Sequence, residues 1–230
     1  MKFITLISAA FLLTGCETPR HEILGTKHGW NIQDSKLKVL LDAQVGKLKI
    51  RRVKMAYKNS AEGSCEHLEV AGEIGPDSTA AIERLLPQLT SCTSKITGNR
   101  ISTVVFLSSG GGLLKDGFKL GEIFRKYQVT TFVTGGQACA SSCAIAFLGG
   151  KYRRMHGDAK LLFHAPYYKT GIAIDCTDRG QVADLKSYYV SNLGDTNGEF
   201  LLNRTLSYCT VVDGWTLNAD GAKLFGITND

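Results

Sequence analysis

The chain has 230 residues, a formal charge of +6 and four prolines, and no repeat, low-complexity tract or proline-rich linker divides it. That length suffices for one sizeable core. Its basic residues are dispersed except in "KLKIRRVK" (47–54) and "KYRR" (151–154), which lack the sustained aromatic interleaving of a nucleic-acid surface and are expected to be solvated faces.

The chain opens "MKFITLISAAFLLTGC". One lysine precedes an apolar run, Phe3 to Leu13, that is too short to span a bilayer comfortably and fits a cleaved export signal. Leu13-Thr14-Gly15-Cys16 resembles the lipobox of bacterial lipoproteins. The resemblance implies a signal peptide over 1–15, cleavage before Cys16 and acylation of that cysteine, with several acyl chains contributing about 0.8 kcal/mol per buried methylene. A periplasmic, lipid-anchored protein is expected, and Glu17 after the cysteine resembles an outer-membrane sorting signal. Residues 16–35 lack periodicity, carry Pro19, Gly25 and Gly29, and are expected to be a tether. Residues 36–230 are expected to form one domain.

"LKIRRVKMAY" (48–57) alternates apolar and basic residues, with the Arg51-Arg52 doublet shifting the phase as a bulge would, and predicts an edge strand or hairpin arm. From Leu68 the pattern becomes strand then helix, repeated. "LEVAGEI" predicts a strand, and "PDSTAAIERLLPQL" a helix capped by Asp77 or Ser78. "ISTVVFL" is a continuous apolar run of the kind buried on both faces, and it ends in Ser108-Ser109-Gly110-Gly111-Gly112. A helix is predicted over "LKDGFKLGEIFRKY", a strand at "VTTFVT", a helix from Ser141 to Leu148 and a strand at "AKLLFHAP". Helices around Val182 to Leu193 and Gly198 to Leu206 precede a short terminal unit, "VVDGWTLNADGAKLFGI". Strands separated by helices of this length imply a mostly parallel α/β sheet with right-handed crossovers.

Beyond Cys16 the cysteines are Cys65, Cys92, Cys139, Cys143, Cys176 and Cys209. An even count in an oxidising compartment suggests disulfides, and of fifteen pairings the chain order suggests Cys65 with Cys92, Cys139 with Cys143 and Cys176 with Cys209. A zinc site is disfavoured because no histidine lies at ligand spacing from a cysteine pair. No metal or nucleotide cofactor is implied, and no P-loop pattern is present.

Reactive groups of open α/β sheets collect where strands end and helices begin. Three such junctions stand out: "LSSGGG", whose glycines let amides face a substrate oxygen; "CASSC", which sets a hydroxyl at a helix start; and "LLFHAP", which ends a strand at His164. Their order resembles the proteolytic subunit of the Clp protease and its relatives in the ClpP/crotonase fold. "FLSSGGGLLKDGFKLGEIFRKY" is similar to that family's oxyanion loop and following helix. "CASSCAIAFLGGKYRRMHGDAKLLFHAP" resembles its nucleophile helix, small-residue turn, basic residue (Arg153) and histidine strand, and "WTLNADGAKLFGI" its closing segment. More closely, the chain looks like exported ClpP-like proteins with cysteines around the active serine. The likeness covers roughly Leu68 to Ile227 and leaves the N-terminal β arm unmatched.

The resemblance implies a repeated β-β-α superhelix and a serine hydrolase acting on peptides or unfolded proteins. Ser141 would be the nucleophile and His164 the general base, with the Gly111 and Ser142 amides as oxyanion donors. A serine hydroxyl needs a neighbouring imidazole to accept its proton, and a third group to fix the tautomer. Asp213 is the aspartate nearest the family's position; Asp195, Asp184 and Asp158 are its rivals. A Cys139–Cys143 disulfide would hold Ser141's backbone fixed. Two other readings stand: a serine–lysine dyad using Lys115 or Lys160, and an inactive member serving as a binding or envelope scaffold. Crotonase-type acyl-CoA chemistry is disfavoured outside the cytoplasm. Family likeness further implies assembly of copies through the helices after His164.

Overall fold

The computed structural model describes residues 37–57, 59–170, 173–176, 178–210 and 213–229. The expected signal peptide, Cys16 and tether lie outside the described residues. No helix among the described residues is long and apolar enough to cross a membrane.

A hairpin opens the fold, β1 (Lys38–Val45) pairing antiparallel with β2 (Leu48–Ala56), and β2 pairs antiparallel with β3 (Ser64–Ile74). The edge strand is therefore β1, and β2 is covered on both sides. The break in alternation at Arg51-Arg52 is no bulge in β2, whose register with β3 runs unbroken from Leu48 to Ala56. The irregularity falls in β1, between Val39 and Leu41. The phase changes because β2 serves two cores. Leu48 and Ile50 pack on one face of the sheet with the helices, whereas Met55 joins Tyr57, Cys65, Cys92 and Phe132 on the other. Nor is the basic stretch simply solvated: half-buried Arg52 donates to Glu66 at 3.0 Å, and Arg51 pairs with Glu69.

Helix α1 (Pro76–Leu85) is capped two residues before Asp77 and three before Ser78, the expected caps. Gly75 is the N-cap, and the Ser78 hydroxyl reaches back to it, accepting Gly75 N–H at 3.0 Å and donating to the Gly75 carbonyl at 2.7 Å. A small hairpin, β4 (Cys92–Thr93) with β5 (Arg100–Ile101), covers the second core and is tied to β3 by the Cys65–Cys92 disulfide. Then come β6 (Val104–Gly112), α2 (Leu114–Lys126), β7 (Thr130–Val133), β8 (Ala138–Ala140), α3 (Ser142–Leu148), β9 (Tyr152–Met155) and β10 (Lys160–Phe163). A second hairpin, β11 (Tyr168–Thr170) with β12 (Ala173–Asp175), leads to α4 (Arg179–Leu193) and α5 (Asp195–Leu206). β13 (Trp215–Leu217) and α6 (Ala219–Leu224) close the chain.

Nine of these strands form one sheet in the order β1-β2-β3-β6-β8-β10-β13, with β7 against β6 and β9 against β7. All pairings from β3 through β10 are parallel; β13 returns antiparallel to β10. β6 forks. Its first half, Val104 to Phe106, pairs with β7, while Ser109 pairs with Cys139 of β8. The fork brings the glycine-rich end of β6 beside the end of β8, and β8 beside the end of β10. All three predicted junctions thus meet at the C-terminal ends of these neighbouring strands.

"KYRR" proves to be mainly strand. Arg153 is buried, its Nε donating to the Ile227 carbonyl at 2.6 Å, and burial lowers its pKa to about 10. This guanidinium braces the C-terminal turn.

Candidate active site

Ser141 sits between β8 and α3 with φ 55° and ψ −126°, a conformation that a residue with a Cβ adopts only when its surroundings impose it. Four constraints do so. Its N–H donates to the Leu162 carbonyl of β10 at 2.9 Å, and its carbonyl accepts from Ile145 N–H at 3.1 Å. The Cys139–Cys143 disulfide, both residues wholly buried, spans it. Gly111 lies against it: a Cβ there would come within 2.6 Å of the Ser141 Cβ and 3.1 Å of the Ser142 nitrogen. All six expected disulfide cysteines are paired as chain order suggested.

Helix α2 backs the site at Gly117, where a Cβ would meet Ser142 backbone and side-chain atoms at 2.6–2.9 Å. That close approach lets α3 begin directly beneath Ser141. Ser142 is buried, and its hydroxyl has no hydrogen-bond partner among the described residues. The Gly111 N–H is already engaged, donating to Ser109 Oγ at 3.0 Å, while that hydroxyl donates to the Gly72 carbonyl. Gly111 reaches an oxyanion only by exchanging this bond.

Ser141 and His164 line the same cavity, about 320 Å3, together with Ile145, Leu114, Tyr167 and Tyr189. Among the described residues no hydrogen bond joins Ser141 Oγ to the imidazole; apo sites commonly tighten such contacts only when substrate binds. The His164 Nδ1 lies 2.8 Å from the Ala165 carbonyl. Tyr167 packs on the imidazole at 5.5 Å between centroids, with planes 34° apart. Tyr189 forms part of the wall, its hydroxyl 3.2 Å from Thr205 Oγ1 and its pKa raised by burial.

Asp213 follows the register of β13 to the His164 end of β10, but among the described residues no hydrogen bond joins an aspartate to the imidazole. Asp213 is exposed, and its Oδ1 accepts the Gly214 N–H at 2.7 Å. Asp158 pairs with His156, Asp184 lies within α4 and Asp195 opens α5; none of the four lines the cavity. Neither Lys115, in the first turn of α2, nor Lys160, at the start of β10, lines it. Sequence reasoning did not single out a role for Ser109, Gly117 or Tyr167. Of these only Tyr167, directly after His-Ala-Pro, carried a local signal, an aromatic beside an imidazole.

By sequence, the chain matches no family model and no curated protein. By structure it is similar to a serine-to-alanine mutant of the 1510-N membrane-bound stomatin-specific protease, with 12% identity and a TM-score of 0.54, over 70% of this chain and 75% of that one. A lysine-to-alanine mutant of the same protease, in complex with a substrate peptide, gives 13% and 0.54 over 70% and 71%. An asparagine-to-aspartate mutant of ClpP1 from Listeria monocytogenes gives 17% and 0.51 over 70% and 87%. The fold is therefore of the ClpP type, a mixed α/β architecture around a mostly parallel sheet.

Proposed function

We propose that this chain is a serine peptidase of the ClpP type, exported and lipid-anchored at Cys16 on the periplasmic side of the membrane, the outer membrane by the Glu17 signal. Ser141 attacks the scissile carbonyl carbon while His164 takes its proton. The tetrahedral oxyanion is bound by the Ser142 amide and, after exchange with Ser109, the Gly111 amide. His164 then protonates the leaving amine, and water releases the acyl group by the reverse steps. Peptides or unfolded chains are the substrates, since nothing in the sequence supplies an unfolding motor. Copies assemble through α4 and α5.

The observation that carries this reading is the backbone of Ser141, held at positive φ on the wall of a cavity it shares with His164. The structural neighbours add that proteases, one with a substrate peptide bound, share the architecture. The serine–lysine reading loses ground because neither lysine reaches the cavity. The test is hydrolysis of a quenched-fluorescent peptide library. Ser141→Ala is expected to abolish turnover and Ser142→Ala to retain it; turnover undiminished in Ser141→Ala would remove the proposal, and a folded wild type with no turnover on any peptide would favour the scaffold.

A further inference from the structure

Resting on the assignment of Ser141 and His164, the geometry points to a general base oriented without a carboxylate: the Ala165 carbonyl and the Tyr167 ring hold the imidazole, and the Cys176–Cys209 disulfide holds them. A carbonyl oxygen only accepts, so the 2.8 Å contact requires the proton on Nδ1 and leaves the Nε2 lone pair as the ring's acceptor. That is the tautomer a nucleophilic serine needs.

The carbonyl is itself fixed. Ala165 is 1% exposed, its N–H donates to the Tyr208 carbonyl at 2.9 Å, and the following residue, Pro166, has no N–H to compete. Tyr208 adjoins Cys209, whose disulfide to Cys176 closes the stretch carrying His164, Tyr167 and the β11–β12 hairpin back onto the end of α5. Tyr167 blocks rotation of the ring from its face. The cavity lining contains no carboxylate among the described residues, and Asp213 spends Oδ1 on its own neighbour's amide.

Proton balance is kept with these groups alone. Ser141 Oγ–H passes its proton to Nε2 as the C–O bond forms, the imidazolium keeps Nδ1–H on the Ala165 carbonyl, and Nε2–H goes to the amine as the C–N bond breaks. Tyr167 and the disulfide are positioning elements; neither gives or takes a proton.

The test is nitrogen NMR of the intact chain labelled at histidine, which reads the His164 tautomer directly, combined with peptide hydrolysis. The neutral ring is expected to carry its proton on Nδ1 in the wild type, in Asp213→Asn and in Tyr167→Phe, and to become a mixture in Tyr167→Ala and in Cys176→Ala/Cys209→Ala. Hydrolysis by Asp213→Asn is expected within about threefold of wild type, against the ~10⁴-fold loss in kcat when an orienting carboxylate is neutralised. Tyr167→Ala is expected to lower kcat about tenfold with KM nearly unchanged, and Tyr167→Phe to restore it. An Nε2–H tautomer in the wild type, or loss of Nδ1–H in Asp213→Asn, would overturn the inference. If the disulfide variant does not fold, the Tyr167 and Asp213 variants decide. An Nδ1–H tautomer that behaves as expected in a protein with no peptidase activity would uphold the orientation and remove the proposed function instead.

Discussion

Two histidines of this protein sit in opposite circumstances. His67, in β3, is wholly buried in the second core and satisfied at both nitrogens: Nδ1 accepts the Val104 N–H at 2.9 Å, so Nε2 carries the proton and donates to the Tyr57 hydroxyl at 2.6 Å. Phe106 and Tyr57 pack on it edge-on. His164, at the end of β10, is half-buried, uses only Nδ1 among the described residues, and keeps its other nitrogen for the cavity it lines. A histidine with every valence taken stabilises a fold; one held from one side with a nitrogen to spare can move a proton.

That contrast breaks if either residue behaves like the other. His164→Ala is expected to cost on the order of 10⁴-fold or more in turnover, the scale of losing a triad base, while leaving the thermal midpoint almost unmoved. Enzyme assays beside a melting curve check both halves. His67→Ala should do the reverse, destabilising by roughly 3–4 kcal/mol because it opens a cavity and orphans the Val104 amide, with kcat per folded molecule unchanged. Denaturant unfolding reads that loss.

Acid sharpens the difference further. Burial pushes the His67 pKa from 6.5 down to about 3. The unfolded chain therefore binds this proton at a higher pH than the folded one, and its contribution is complete above pH 6.5 and lost as pH falls towards 3. The limiting slope is about 1.4 kcal/mol per pH unit, and it should disappear in His67→Phe. Urea midpoints measured between pH 7 and pH 4 give the slope; an equal slope in the variant would assign it to other groups.

The disulfides divide along the same line between fold and site. By loop length, opening Cys65–Cys92 (27 residues apart) should cost about 3.6 kcal/mol and opening Cys139–Cys143 (four apart) only about 2 kcal/mol. The shorter one should nonetheless cost more activity, because it spans Ser141. Comparing Cys→Ala pairs for melting temperature and kcat checks this inversion. On the same scale as the shorter disulfide, Gly117→Ala should destabilise by about 1–3 kcal/mol through overpacking at Ser142. Its kcat should fall more than its stability explains, a difference visible when activity is normalised to folded protein.

Much of the fold was legible because long apolar runs and helical spacing carry it: β6, α2, α3, α4 and α5 lie within a few residues of their predicted positions. Short strands escaped. β8 is three residues of Ala-Cys-Ala, too brief for any period, and β9 was masked by its arginines, one of which the fold buries against backbone carbonyls. The Arg51-Arg52 phase shift was visible but misread, since alternation cannot distinguish a bulge from a strand that changes cores. At the site, Ser141 and His164 could be singled out because one opens a legible helix and the other ends a legible strand, and the family resemblance supplied their roles. The setting of the imidazole could not, because Ala165 orients it through a backbone carbonyl that no side chain advertises. The engagement of the Gly111 amide by the Ser109 hydroxyl was hidden for a different reason, since residue types do not fix the local turn that brings the two together.

The central claim is that Ser141 is a nucleophile made reactive by His164, and mass mapping of a fluorophosphonate adduct tests it most directly. One adduct is expected, on Ser141, and none in the folded His164→Ala protein. An adduct on Ser142 or Ser109, or undiminished labelling of Ser141 without the imidazole, would contradict it.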